Sequence, residues 1–401
     1  MGRATARQAG AKLAFIEGMR GLAALYVVLG HICSIAYPGV FLGVHANAPE
    51  WLRTAMQPFG FGHLAVAAFI VISGFCLETS LFNGGDGTMQ NAKSFYRRRA
   101  LRILPPYYAC LSLSLIVVFF ITPLGGNGLP FSQYVPATPA SVVTHFFLIH
   151  NWSPDWMYKI NGVLWSIAIE VQLYILFPII VFLLNRAYRL PTLLLASSLS
   201  ASALIWWPKA EKYYPWYFAL FTLGMAASHL AYNPPKWRGP NALAAMLFGG
   251  ICFVGCIVSA ARGFAMPILD AWMGACVVSV IYACTVSKKF RVGKWLGAAP
   301  LTALGAISYS LYLMHHPILQ PLYIFRPHWA QEPAMATLYL MVVGLPAILI
   351  GVTIFWFVFE RPFMRRPKVR RKNQPISYGV RQRAVVQVRE HTRQTVGASK
   401  R

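Results

Sequence analysis

The sequence predicts an all-α bundle that crosses a membrane many times. Three observations carry that expectation. Of 401 residues, 57% are hydrophobic and only 12% are charged, more apolar than a water-soluble domain needs. The apolar residues gather in runs of about twenty, the length that spans a bilayer core. Basic residues outside those runs concentrate on alternate connections, which fixes the orientation of a polytopic protein.

About ten spans follow in chain order, at 14–36, 59–82, 103–123, 162–185, 190–207, 214–232, 241–261, 266–286, 299–324 and 334–359. Glu17 and Arg20 interrupt the first run and no small-residue cleavage site follows closely. It therefore reads as a retained helix rather than a signal peptide. The N-terminal arm carries Arg3, Arg7 and Lys12. The even-numbered connections carry Arg97, Arg98, Arg99 and Arg102, then Arg186 and Arg189, Lys236 and Arg238, and Lys288 to Lys294. The opposite side holds only scattered cations such as Arg53, Lys159 and Arg262. Both termini are thus expected in the cytoplasm. The domain organisation is a basic arm at 1–12, a membrane domain at 13–363, and a basic tail at 364–401. The tail lacks an apolar period and is expected to be disordered, lying against anionic lipid. The net charge of +25 accordingly speaks for orientation and lipid, not for nucleic acid.

Seven cysteines lie within or beside the spans. An odd number, dispersed in apolar surroundings, suggests small inert side chains rather than disulfides. No clustered Cys/His spacing proposes a metal.

The chemistry concentrates in four segments. Arg20 and His31 sit in the first span eleven steps apart, almost three helical turns, so both share one face ~16 Å apart along the axis. Taken alone the pair fits snorkelling to the two surfaces as well as it fits a site. In the fourth span Ser166, Glu170 and Tyr174 recur every four residues and share a face, beside Trp165. Hydroxyls often serve as helix glue; a glutamate seldom does. Before the third span, Arg98, Arg99 and Arg102 would converge on a helix, a fork cluster suited to phosphate oxygens as well as to orientation. In the ninth span Tyr312 precedes His315 and His316 by three and four residues, and Pro317 should bend the helix there. Glu78 and Asp270 are lone acids near span ends and read as structural or snorkelling.

Taken in order, these segments resemble the integral membrane acyltransferase-3 family over nearly all of residues 13–363. The family's R-x10-H pattern matches Arg20 and His31, with Glu17 just before. Its F-F-V-x-S-G-F segment resembles Phe69 to Phe75, including Ser73, and the R-I-x-P cluster ends at Pro105. W-S-x-x-x-E-x-x-x-Y matches Trp165, Ser166, Glu170 and Tyr174. I-S-Y-S-L-Y-L-x-H-x-P matches Ile307 to Pro317, and the closing E-x-P is Glu360 to Pro362. Ile70 departs from the second aromatic, and Ala67 stands where an acid is frequent.

The resemblance implies a multi-pass enzyme of the bacterial inner membrane. It would move an acyl group, acetyl above all, from cytoplasmic acyl-coenzyme A to a hydroxyl of an envelope carbohydrate or glycolipid, without a metal. Arg98, Arg99 and Arg102 would hold the donor's phosphates. His31 would be the general base, or carry the acyl group itself, with Glu170 orienting the imidazole. Arg20, Ser166 and Tyr174 are candidate oxyanion donors. Glu17, Ser73, Trp165, Tyr312 and His315 would bind substrate or support these groups. A second class, a transporter of lipid-linked sugar or acyl groups, also places polar residues inside helices. Neither the acceptor nor an oligomeric state is readable from the sequence.

Overall fold

A computed structural model describes residues 14–38, 50–84, 91–125, 130–183, 189–232 and 241–364, together with Met89. The basic arm at 1–12 and the tail after Met364 lie outside the described residues, as do residues 39–49 and 126–129.

Each expected apolar run forms a helix, and no strand occurs among the described residues. The helices are α1 (Ala14–Ala36), α2 (Gly62–Gly84), α3 (Ala92–Ile116), α4 (Leu164–Leu183), α5 (Arg189–Trp206), α6 (Trp216–Tyr232), α7 (Ala242–Ala261), α8 (Met266–Val286), α9 (Ala299–Ala306), α10 (Ser308–Ile324), α11 (Pro333–Tyr339) and α12 (Leu345–Phe355). Among the described residues, 7 helices are long and apolar enough on their own to cross a membrane. The molecule is an all-α polytopic bundle. The expected ninth span is two helices, broken at Ile307, whose φ and ψ are −103° and 6°. The third begins earlier than expected. Asn91 caps it by accepting from Ser94 N at 2.8 Å, so the arginine cluster lies on the helix itself.

Two close approaches set the layout. A Cβ on Gly74 of α2 would lie 2.0 Å from Phe221 O, and one on Gly224 of α6 would lie 2.2 Å from Val71 O. On the other side, a Cβ on Gly21 of α1 would lie 2.6 Å from Leu301 O, and one on Gly305 of α9 would lie 2.0 Å from Glu17 O. Only glycine permits these backbones to touch, as small residues do between membrane helices.

Pro317 lies inside α10, which continues to Ile324. Its missing N–H frees Leu313 O. That carbonyl accepts instead from Cys110 Sγ at 3.1 Å and from Asn161 Nδ2 at 3.4 Å. At the start of α10 the buried Glu360 accepts from Ser310 N at 3.2 Å and from the Ser310 hydroxyl. A carboxylate from the last helix thus caps the helix that carries His315 and His316.

The two lone acids do not snorkel. Asp270 is buried and accepts from His63 Nδ1 at 2.7 Å and Trp216 Nε1 at 2.9 Å. Glu78, equally buried, accepts from Arg189 Nη1 at 3.1 Å and His229 Nδ1 at 3.3 Å. A buried carboxylate with hydrogen-bond donors at hand has no need to reach a surface.

Between α3 and α4, a short helix (Pro139–Phe146) brings His145 over His150. The two buried rings stack with centroids 3.8 Å apart and planes 8° from parallel. Burial, first of all, lowers His145 from 6.5 to about 4. It also holds His150 well below its usual range, with repulsion from His145 adding to the effect. Both folded values lie below the unfolded one, so unfolding takes up protons on the acid side. The contribution to stability is complete above the ordinary imidazole range and is lost as pH falls toward 4. Purified protein should therefore show a falling thermal midpoint between pH 6.5 and about 4. The double variant His145→Gln/His150→Gln should show a flatter profile; an equally steep fall would assign the effect to other groups.

Candidate active site

Most of the candidate side chains line two adjoining chambers inside the bundle. The inner one, of about 130 Å³, is lined by Glu17, Arg20, Ile72, Ser73, Cys76, Leu77, Arg99, Arg102, Ile103, Glu170, Tyr174 and Tyr309. The second, of about 40 Å³, is lined by Val66, Phe69, Ile70, Ser166, Ile167, Ser308 and Tyr312. Arg20, Ser73, Glu170 and Tyr309 line both and form a polar collar between them. The Gly21–Gly305 contact puts Arg20 of α1 beside the Ser308–Tyr312 wall of α10.

The collar is tied by hydrogen bonds. Ser73 Oγ donates to Glu170 Oε1 at 2.8 Å, and the Tyr174 hydroxyl donates to the same oxygen. The Arg99 guanidinium lies 5.4 Å from the Tyr174 ring centroid and 5.7 Å from that of Phe95, which holds it over the inner chamber. The arginine cluster divides. Arg99 and Arg102 line the chamber, whereas Arg98 is exposed and donates to Ser94 Oγ one turn back. One residue is 100° around a helix, so Arg98 and Arg99 face different ways.

His31 lines neither chamber. Its Nδ1 lies 3.0 Å from Val27 O. A carbonyl only accepts, so Nδ1 carries the proton and Nε2 holds the lone pair. The same reasoning applies to His315, whose Nδ1 lies 3.0 Å from Leu311 O. His315 Nε2 is 3.3 Å from His31 Nδ1 and accepts from it. The partner that orients His31 is therefore a neutral imidazole. Glu170 makes its bonds to Ser73 and Tyr174, so the structure does not bring it to His31, which the sequence expected it to orient. The fourth-span face does place Glu170 in the interior, but three turns of α1 separate Arg20 from His31.

Tyr312 joins the two halves. It lines the smaller chamber, and its ring centroid lies 6.0 Å from that of His315. Its hydroxyl is 2.7 Å from Ser166 Oγ. Since Ser166 donates to Val163 O at 3.3 Å, Tyr312 is the donor in that pair. Ser166 and Tyr174 thus spend their protons on Val163 O and Glu170. Trp165 lines neither chamber; it stacks on Tyr214 with centroids 4.4 Å apart.

Two contributors escape the sequence reading. Tyr309, which lines both chambers and donates to Ile103 O at 3.0 Å, shares a face with Tyr312 and could be found by its three-residue spacing. Tyr134, 2.9 Å from His316 Nε2, comes from an aperiodic connection that offers no signal. His316 is further fixed by Gln320 Nε2 at 3.0 Å, and its ring lies 5.4 Å from that of His31.

A family profile described as an acyltransferase domain matches residues 13–361. The chain belongs to the acyltransferase-3 family. The O-acetyltransferase OatA of Staphylococcus aureus is 24% identical over 375 residues, covering 84% of this chain and 56% of that protein. BcsY of Komagataeibacter xylinus, which carries the name of a membrane-bound transacylase, is 26% identical over 362 residues, covering 84% and 82%. The peptidoglycan O-acetyltransferase OatA of Listeria monocytogenes is 23% identical over 340 residues, covering 76% and 49%. The chain spans about half the length of the two OatA proteins. No solved structure matches.

Glu170→Gln weakens the charge-assisted bonds of the collar without touching His31. Turnover should fall roughly tenfold, the scale of one such bond, while the acid limb of the pH–rate profile stays in place. A shifted limb would restore Glu170 as the partner of the base.

Proposed function

We propose that the protein transfers an acyl group, acetyl in the first place, from acyl-coenzyme A on the cytoplasmic side to a hydroxyl of an envelope carbohydrate or glycolipid. The observation that carries this reading is the succession of groups from Arg99 and Arg102, through the shared Arg20–Glu170 lining, to Tyr312, whose ring lies beside the His31–His315 pair. The basic residues of the connections support an inward-facing arginine end and a bacterial inner-membrane location.

The residues suit the chemistry. Two guanidiniums in a narrow chamber can hold the donor's phosphate oxygens. The long arm of the donor then carries the thioester past the collar. His31 Nε2 takes the proton of the acceptor hydroxyl as its oxygen bonds to the acyl carbon. The imidazolium so formed donates more strongly through Nδ1 to His315 Nε2 and Val27 O. Arg20 faces the charge that develops on the carbonyl oxygen. The carbon–sulfur bond breaks, and the departing thiolate recovers the proton from His31. A transporter would not need a base with a fixed lone pair.

His31→Ala should lower transfer by roughly 10²–10⁴-fold, the usual contribution of a general base, with membrane insertion intact. Mass spectrometry of surface glycans from a complemented deletion strain reads the outcome and gives acyl group and acceptor together. Activity within a few-fold of wild type would remove His31 from the reaction, and absence of coenzyme A release by purified protein would favour transport.

The division of the cluster makes a sharper test of the donor site. Arg99→Gln/Arg102→Gln should weaken acetyl-coenzyme A binding by roughly 10- to 100-fold or more, from two lost charge-assisted contacts. Arg98→Gln should leave it within about twofold, since that side chain faces solvent. Isothermal titration of the three proteins distinguishes the cases; equal losses would make the cluster a diffuse anchor.

A further inference from the structure

We infer that the Tyr312–Ser166 pair decides between the acceptor and water as the recipient of the acyl group. The inference rests on the acyl-coenzyme A reading above.

The smaller chamber, at about 40 Å³, is large enough for at least one water, and it has polar walls in Arg20, Ser166, Ser308 and Glu170. A thioester whose acyl end enters this chamber is therefore in reach of water. Hydrolysis needs only a base. His31, whose Nε2 lone pair is set by the Val27 carbonyl, would serve that purpose if it opened onto the chamber. It does not. The chamber meets the imidazole pair through Tyr312, which is a wall residue on one side and lies beside His315 on the other. The phenol is held by donation to Ser166 Oγ at 2.7 Å and by the edge-on ring of Phe69, with centroids 5.9 Å apart. Ser166 is in turn fixed by its own bond to Val163 O.

A sugar hydroxyl arriving beside His31 both donates and accepts. It can give its proton to His31 Nε2 and take the Tyr312 hydroxyl as a donor, which releases Ser166 and lets the ring turn. The remainder of the sugar supplies binding energy to hold that arrangement. A lone water has none to contribute. In the closed arrangement the base and the thioester stay apart, and acceptor-free turnover is suppressed. If the pair opens without acceptor, the water oxygen bonds to the acyl carbon and the carbon–sulfur bond breaks. His31 takes the water proton and passes it to the thiolate, leaving free acid and coenzyme A.

The test uses purified full-length protein and acetyl-coenzyme A alone. Tyr312→Phe keeps the ring and loses the bond. Acceptor-free release of coenzyme A should rise about tenfold, the population shift expected from one hydrogen bond, with acetyl-coenzyme A affinity within about twofold of wild type. Ser166→Ala should act alike. The double variant should go no further than either single one, because both remove the same bond. Ser166→Thr, which keeps a hydroxyl, should reverse most of the rise seen with Ser166→Ala. In donor-free protein, carbethoxylation of His31 by diethyl pyrocarbonate should rise in Tyr312→Phe by a similar factor. Hydrolysis that stays flat or falls in both single variants, or His31 reactivity that does not change, overturns the gate. Wild-type protein that fails to bind acetyl-coenzyme A would instead overturn the donor reading beneath it.

Discussion

The contact between Gly21 of α1 and Gly305 of α9 is the constraint on which the site depends. Two backbones meet where a single added Cβ would lie 2.6 Å from Leu301 O on one side or 2.0 Å from Glu17 O on the other. That approach places Arg20 against the start of α10, whose first turns supply Ser308, Tyr309 and Tyr312 to the chambers. Glu360 then caps the same helix from the far end of the chain. A cavity lined by an arginine and a glutamate inside a membrane bundle is costly unless its groups satisfy one another. Here the helix geometry does so with residues from α1, α2, α3, α4 and α10.

What the sequence makes readable is set by periodicity. The helices follow from apolar runs and basic flanks, and the inward faces of α1 and α4 follow from the 3.6-residue repeat, so Arg20, Glu170 and Tyr174 share an interior. Periodicity reports direction around one helix axis. It does not report rotation between helices, so Glu170 could be placed inside but not assigned to Ser73 rather than His31. Arg98 and Arg99 show the limit at single-residue scale: both belong to the cluster, yet only one lines the chamber. The Tyr134 connection has no period at all, and its role emerges only from the bond to His316. The break at Ile307 is similarly silent, because nothing in an apolar run announces a turn that a distant carboxylate will stabilise.

A neutral imidazole in the place often held by a carboxylate has a defined physical meaning. A carboxylate would favour the imidazolium form of His31 at rest and would itself need charged partners in an apolar interior. His315 accepts the same hydrogen bond without bringing a charge. In the proposed reaction the pair would start uncharged and gain charge only when the acceptor gives up its proton. In that reaction the imidazole would thus be available as a base in surroundings that disfavour any standing ion.

The carbonyl released by Pro317 links three distant positions. Leu313 O is claimed by Cys110 from α3 and by Asn161 from the connection before α4, while Asn161 also donates to Ser114 at 3.0 Å. A proline within a helix is commonly a flexible joint. This one is stitched to its neighbours, so the histidine-bearing segment moves, if at all, as a unit with α3. The three positions also form an interdependent set. Restoring an ordinary amide at 317 would give Leu313 its helical donor and leave the thiol and the carboxamide with an acceptor already engaged. Losing either of those donors while the proline remains would leave the carbonyl short of a partner. Substitutions at 110, 161 and 317 are therefore expected to be tolerated in combination more readily than singly, a signature of mutational epistasis rooted in one backbone oxygen.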